Sequence, residues 1–174
     1  ISRMRGQITL TPPALTQIEL PLTADGAHVW RPFAPIARIS VDLEAEGWQF
    51  DGHGYFDSNF GTRALEEDFS SWTWARYPTQ SGATCFYDAE RRDGTRLEAA
   101  IGFTPDGQAA HVSAPGSARL NRTLWALPRA TRADPGHRPK QIKSMLDAPF
   151  YSRSVVETVL NGERVQGVHE ALDL

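Results

Sequence analysis

The chain has 174 residues, 40% of them hydrophobic and 22% charged, a balance typical of a globular domain with one sizeable core. Its formal net charge of −3 comes from acidic and basic residues scattered along the sequence, so no basic face exists for nucleic acid and that class of partner is excluded. Cys85 is the only cysteine, which excludes a disulfide framework and suits a reducing cytoplasm, and no apolar run approaches the roughly 20 residues of a membrane-spanning helix.

The first four residues, Ile1-Ser2-Arg3-Met4, are neither an initiator methionine nor the charged head and apolar middle of a signal peptide. We therefore expect the sequence to be part of a longer polypeptide. For residues 1–174 themselves we predict a single β-domain.

Strand signals dominate the chain. Stretches with alternating or β-branched residues predict strands at residues 6–11, 36–43, 47–57, 71–77, 83–91, 96–104, 110–113, 119–128, 151–160 and 163–169. Three dipeptides typical of tight hairpin turns separate some of them, namely Asp93-Gly94, Asp106-Gly107 and Asn161-Gly162. The pattern predicts an all-β fold, an antiparallel barrel or sandwich that encloses a cavity.

Helical signals are few. Residues 140–146 and 63–68 predict two short helices, and residues 133–139, with two prolines and a glycine, predict an exposed loop.

The strand predicted at residues 47–57 has one polar and titratable face, because side chains alternate along a strand. That face carries Gln49, Asp51, His53, Tyr55 and Asp57. Periodicity alone favours a half-exposed strand that shows these groups to water. Gly52 and Gly54 argue against a plain half-exposed strand, because a glycine inside a strand often marks a bulge or a close approach by another group.

His28 and Trp30 are two residues apart, so they share a face if that stretch is extended. By themselves they fit an exposed histidine beside a core tryptophan.

Several segments together resemble the signature of the carotenoid 1,2-hydratase (hydroxyneurosporene synthase) family. The first are residues 51–61, DGHGYFDSNFG, and 72–76, WTWAR. The likeness continues at residues 86–88, FYD, 123–125, TLW, 128–129, PR, 146–151, LDAPFY, and 167–170, GVHE. It spans most of the chain.

The resemblance implies a lipocalin-like β-structure in two parts, of which this chain would be the second, catalytic part and the N-terminal half of the same protein its partner. It also implies hydration of the terminal double bond of acyclic carotenoids such as neurosporene and lycopene, without a cofactor. Because such substrates dissolve in lipid, we expect a cytoplasmic protein in peripheral contact with the inner, photosynthetic membrane.

Carried over by motif, the resemblance implies four catalytic residues. Protonation of the alkene requires a neutral carboxylic acid, and the family's proposed acid falls on Asp57. Desolvation in an apolar pocket favours the neutral form of such a group. Trp30 would stabilise the tertiary carbocation through its ring face, Tyr55 would assist it or orient the acid, and His28 would position water and accept its proton.

Trp72, Trp74, Phe56 and Asn59 are the residues that we expect to contact the polyene, although Trp72 and Trp74 fit a plain hydrophobic core equally well. The spacing of the five histidines offers no metal-binding pair, so no metal is expected.

Two other functions remain open on the sequence. One is a non-catalytic, lipocalin-like domain that binds a carotenoid or another apolar molecule as an accessory subunit of a photosynthetic membrane complex. The other is a related enzyme that uses the same cavity for a different cation-forming or cyclising reaction.

Overall fold

The computed structural model describes residues 4–44 and 47–174, so residues 1–3 of the opening segment lie outside the described part of the chain. The described elements are β1 Gly6–Thr11, β2 Leu20–Pro21, β3 His28–Leu43, β4 Gln49–Gly61, α1 Leu65–Asp68, β5 Phe69–Thr79, β6 Gly82–Arg91, β7 Arg96–Phe103, β8 Ala109–His111, β9 Ser117–Leu120, β10 Arg129–Arg132, β11 Lys140–Asp147, β12 Tyr151–Leu160 and β13 Glu163–Asp173.

These strands form three antiparallel sheets. The first is four-stranded and consists of β3 with its neighbours β1, β2 and β4; the second has seven strands in the order β11-β12-β13-β5-β6-β7-β8; the third is the β9–β10 pair. The turns predicted at Asp93-Gly94, Asp106-Gly107 and Asn161-Gly162 connect β6 to β7, β7 to β8 and β12 to β13. The all-β prediction is confirmed, but within the described residues the sheets do not close into a barrel.

The seven-stranded sheet is the middle layer, and alternation along its strands sends bulky side chains to both faces. Trp74 packs in a core cluster with Trp30 of the four-stranded sheet, whereas its neighbour Ala75 belongs to a second cluster on the opposite face. The β9–β10 pair covers that opposite face, where the Tyr77 hydroxyl and Thr131 Oγ1 lie 2.9 Å apart in a hydrogen bond. The result is a layered sandwich with apolar cores on both sides of one sheet.

Strand β3 is longer than the strand predicted at residues 36–43, because it begins at His28 and contains two prolines. Proline cannot donate a ladder hydrogen bond and is tolerated inside a strand at bulges. Register shifts in the pairing with β4 fall between Arg31 and Ala34 and between Ala34 and Ala37, around Pro32 and Pro35. The bulges let the strand continue through the prolines, and they place His28 and Trp30 in extended backbone.

The helix predicted at residues 140–146 is wrong, since this segment is the edge strand β11. Two register shifts in its pairing with β12 add extra residues and interrupt the strand alternation. Ile142, Met145 and Leu146 therefore fall at the spacing of a helical face without forming one.

Two further predictions have different outcomes. The strand predicted at residues 119–128 ends early, because β9 stops at Leu120 and a loop with Ala126 at φ 62° leads to β10. The short helix predicted at residues 63–68 is confirmed as α1.

No helix in residues 4–44 or 47–174 has the length and apolar character needed to cross a membrane.

Candidate active site

The polar face of β4 meets two environments. Gln49, Asp51 and His53 are exposed, whereas Tyr55 and Asp57 are half-buried between the four-stranded and seven-stranded sheets. The half-exposed strand expected from periodicity is therefore found at Gln49, Asp51 and His53, whereas Tyr55 and Asp57 are partly shielded from water.

The Asp57 carboxyl is held by two hydrogen bonds to the same oxygen. Trp30 Nε1–H donates to Asp57 Oδ2 at 2.8 Å, and the Tyr55 hydroxyl donates to Oδ2 at 2.7 Å. Burial raises the pKa of the Tyr55 hydroxyl far above its ordinary value, so this group stays protonated and remains a donor. The Arg76 guanidinium lies 5.6 Å from the centroid of the Tyr55 ring and donates to the Pro35 carbonyl, which fixes the ring between the layers.

A cavity of about 260 Å³ opens beside Asp57. Its wall contains every residue for which the sequence predicted contact with the polyene, namely Phe56, Asn59, Trp72 and Trp74. The Trp74 and Tyr55 rings pack at 5.0 Å between centroids, and Tyr87 joins Trp72 at 5.8 Å. The site is thus a carboxyl group at the side of an aromatic pocket.

Trp30 does not line this cavity, and its predicted role in stabilising a cation stays a prediction. It is 1% exposed, its ring packs against Tyr87 at 5.6 Å, and its N–H edge points to Asp57. This geometry suits a residue that positions the carboxyl, and it leaves the cavity-lining aromatics Trp72, Trp74 and Tyr87 to face a ligand.

His28 lines a second cavity of about 160 Å³, which shares Asn59, Trp72 and Tyr87 with the first. The His28 Nε2 atom lies 2.9 Å from Asp68 Oδ2, and Arg63 pairs with the same carboxylate. The second cavity adjoins the first at the three shared residues, and its apolar wall includes Leu22, Phe60 and Leu65.

Three residues of the first cavity were not predicted as site residues: Tyr87, Arg153 and Glu170. Tyr87 and Glu170 lie in two of the segments that carry the family resemblance, so a signal for them was present in the sequence. Arg153 had none, because only the pairing of β12 with β13 brings it beside Glu170.

Potential metal ligands are dispersed in this part of the molecule. Across residues 4–44 and 47–174, no three His, Cys, Asp or Glu side chains are grouped as they are around a metal ion.

Comparison with known proteins places these residues in a family. The family model of carotenoid hydratase CrtC matches residues 1–174. The chain is 57% identical over 174 residues to an acyclic carotenoid 1,2-hydratase of Cereibacter sphaeroides and 50% identical over 175 residues to one of Rhodobacter capsulatus. It is covered completely in both comparisons but spans only 62% of the length of each relative.

Among solved structures, one from Nitrosomonas europaea, described as a candidate AttH protein, is similar to this chain with a TM-score of 0.62. The match covers 99% of this chain and 62% of that one at 12% sequence identity, so it bears on the fold alone. The family model, by contrast, extends over the whole chain, including the segment that builds the Asp57 site. The chain belongs to the carotenoid hydratase CrtC family.

Proposed function

We propose that the protein adds water to the terminal C1=C2 double bond of an acyclic carotenoid, such as neurosporene or lycopene. The observation that carries this proposal is the Asp57 carboxyl, held by Trp30 and Tyr55 at the side of a pocket lined by Trp72 and Trp74. A carboxylic acid beside electron-rich aromatic side chains is what protonation of an isolated alkene requires. The names of the two relatives support the same substrate class.

Protonation begins at Asp57. Both protein hydrogen bonds go to Oδ2, so a proton on the acid belongs on Oδ1, and Oδ1 delivers it to C2 of the substrate. As the acid ionises, the hydrogen bonds from Trp30 and Tyr55 become charge-assisted and therefore stronger. They stabilise the transition state more than the ground state, which is the condition for accelerating the step.

The positive charge then develops at C1, which becomes a tertiary carbocation. The aromatic side chains of Trp72, Trp74 and Tyr87 are next to it, and a cation over the face of such a ring gains about 0.5–2 kcal/mol. Water captures the cation and yields a tertiary alcohol. These steps need only protein side chains and water.

The cavity is smaller than a whole carotenoid, so only one end of the polyene enters it while the rest stays in lipid. The proposal therefore includes peripheral contact of the protein with a membrane. Exposed apolar side chains suited to such contact are Leu124 and Trp125, in the loop before β10.

The test is hydration of lycopene in liposomes by the full-length protein, with Asp57→Asn as the key variant. Asparagine keeps the shape of the side chain but cannot give up a proton, so we expect turnover to fall by at least about 100-fold. Asp51→Asn is the matched control, because Asp51 is on the same strand and face but is exposed. Product is detected as the mass increase of one water, and sedimentation of the protein with liposomes reports the membrane contact.

Wild-type hydration that disappears in Asp57→Asn and persists in Asp51→Asn supports the proposal. Tight carotenoid binding without any product would contradict it and favour the binding-subunit alternative.

A further inference from the structure

Hydration releases a proton from the attacking water, and the cavity contains a second carboxyl that can receive it. Glu170 lies on β13 and lines the same pocket as Asp57, with its side chain 18% exposed. It was not part of the predicted catalytic set, and His28 instead lines the adjoining cavity with its Nε2 atom on Asp68.

Strand pairing explains how Glu170 reaches the site. Glu170 is opposite Trp74 of β5 on one side and opposite Arg153 of β12 on the other, and Trp74 is in turn opposite Tyr87 of β6. Side chains in such a row point to the same face of the sheet. The row Arg153–Glu170–Trp74–Tyr87 therefore forms one wall of the cavity, and Asp57 approaches it from β4 of the opposite sheet.

The surroundings of Glu170 suit a proton acceptor. Arg153 Nε lies 3.3 Å from Glu170 Oε1 and keeps the carboxylate charged. Burial raises the pKa of Glu170, although the charge of Arg153 and a hydrogen bond from Tyr151 oppose this effect. A carboxylate with a raised pKa is a stronger base than an exposed glutamate, and the adjacent Arg153 cation favours its charged, proton-accepting form. The titratable and charged groups that face it are Arg153 and Tyr151 of β12, Asp57 and Tyr55 of β4, and Tyr87 of β6.

We propose that Glu170 is the general base that takes the proton from water as it attacks the C1 cation, with Arg153 positioning its carboxylate. This inference rests on the proposed hydratase function. The O–H bond of Asp57 breaks as the C2–H bond forms; the C1–O bond then forms as a water O–H bond breaks and its proton passes to Glu170. Transfer of that proton back to Asp57 through water restores both groups, so the sum is alkene plus water giving a tertiary alcohol.

The test compares Glu170→Gln with Asp57→Asn and with the control Glu157→Gln in the full-length protein, using lycopene in liposomes. Glu157 is on the adjacent strand β12 and pairs with Arg164 at 2.8 Å, but it does not line the cavity. We expect Glu170→Gln to lower kcat by about 100-fold or more while the affinity for lycopene changes by less than about 3-fold, and Glu157→Gln to keep wild-type rates.

The pH profile supplies a readout that a structural role would not alter. Turnover of the wild type should decline at low pH as Glu170 becomes protonated, and the residual activity of Glu170→Gln should lack that decline. Removing the cation in Arg153→Gln raises the pKa of Glu170, so the decline should move to higher pH. Because this shift is measured with Glu170 intact, it tests the inference even if Glu170→Gln fails to fold.

Loss of turnover in Asp57→Asn with full activity in Glu170→Gln would overturn the role of Glu170 and leave the hydratase function standing. If Glu170→Gln loses turnover and lycopene affinity equally and keeps the wild-type pH profile, Glu170 has only a structural role. Absence of hydration by the wild type would overturn the function and this inference together.

Discussion

At the scale of single residues, the candidate site depends on where each polar hydrogen points. Trp30 and Trp74 belong to the same buried cluster, yet of the two only the Trp30 N–H has acceptors, the Asp57 carboxyl at 2.8 Å and the Tyr55 hydroxyl at 3.2 Å. Trp74 Nε1 is buried without a hydrogen-bond partner among the described residues. Two tryptophans with similar burial thus differ in one interaction, and that difference can be measured.

We expect Trp30→Phe to be more destabilising than Trp74→Phe. Both substitutions remove the same ring volume, but only Trp30→Phe removes a hydrogen bond and leaves Asp57 with a single donor, Tyr55. The difference in the free energy of unfolding should be about 1 kcal/mol, the usual net contribution of a buried hydrogen bond. Urea denaturation of both variants measures it, and equal free energies would contradict the assignment of the Trp30 hydrogen bond.

At the scale of elements, β4 combines exposed and buried halves, and its two glycines differ accordingly. A Cβ on Gly54 would overlap the Leu10 side chain of β1 and lie 3.2 Å from Ile39 Cβ, whereas a Cβ on Gly52 would have no neighbour within 4 Å among the described residues. Only Gly54 marks a close approach, and the group that approaches it most closely is the Leu10 side chain of β1.

Gly54→Ala should therefore destabilise the protein by about 1–3 kcal/mol, the usual effect of overfilling a packed site. Gly52 is on the same strand, and its φ is not in the positive region that disfavours alanine. Gly52→Ala should therefore be neutral or slightly stabilising, since alanine loses less conformational entropy than glycine on folding. Thermal unfolding of the two variants separates these outcomes. A similar midpoint for both would mean that β1 does not pack on Gly54.

At the scale of the whole molecule, the buried His169 connects the seven-stranded sheet to the β9–β10 pair. Its Nε2–H donates to the Ala130 carbonyl at 2.8 Å, and burial lowers its pKa to about 4. The folded protein therefore binds this proton less readily than the unfolded chain, whose histidine has a pKa of about 6.5. The associated stability is complete above about pH 6.5 and is lost as the pH falls towards about 4.

We expect the free energy of unfolding to decrease by about 1–2 kcal/mol between about pH 7.5 and about pH 5 because of His169. His169→Gln keeps a donor for Ala130 but cannot take up a proton, so its stability should depend less on pH over this interval. His111→Gln, at an exposed position of β8, should retain the wild-type dependence. Urea unfolding at both pH values provides the comparison, and identical pH dependence in all three proteins would exclude His169 as the cause.

Local sequence signals were sufficient for the class of the fold and for one wall of the site. Hairpin dipeptides adopt their turns through their own φ preferences, so all three turns could be predicted without tertiary contacts. Alternation likewise placed Tyr55 and Asp57 on one face, and the aromatic character of Trp72 and Trp74 suggested them as contacts of an apolar ligand. Local signals failed where bulges changed the period, as in β11, or where bulges carried a strand through prolines, as in β3.

The sequence by itself determined the all-β class, the polar row of β4 and the family to which the chain belongs. Only the tertiary structure decided that Trp30 presents its N–H to Asp57, that His28 lines the adjoining cavity, and that Glu170 and Arg153 line the same cavity as Asp57. The physical reason is that alternation specifies which side chains share a strand face, whereas the packing of one sheet on another specifies which faces meet. Glu170 is more than 100 residues from Asp57 in the chain, and the two share a cavity only because the four-stranded sheet packs on the seven-stranded one.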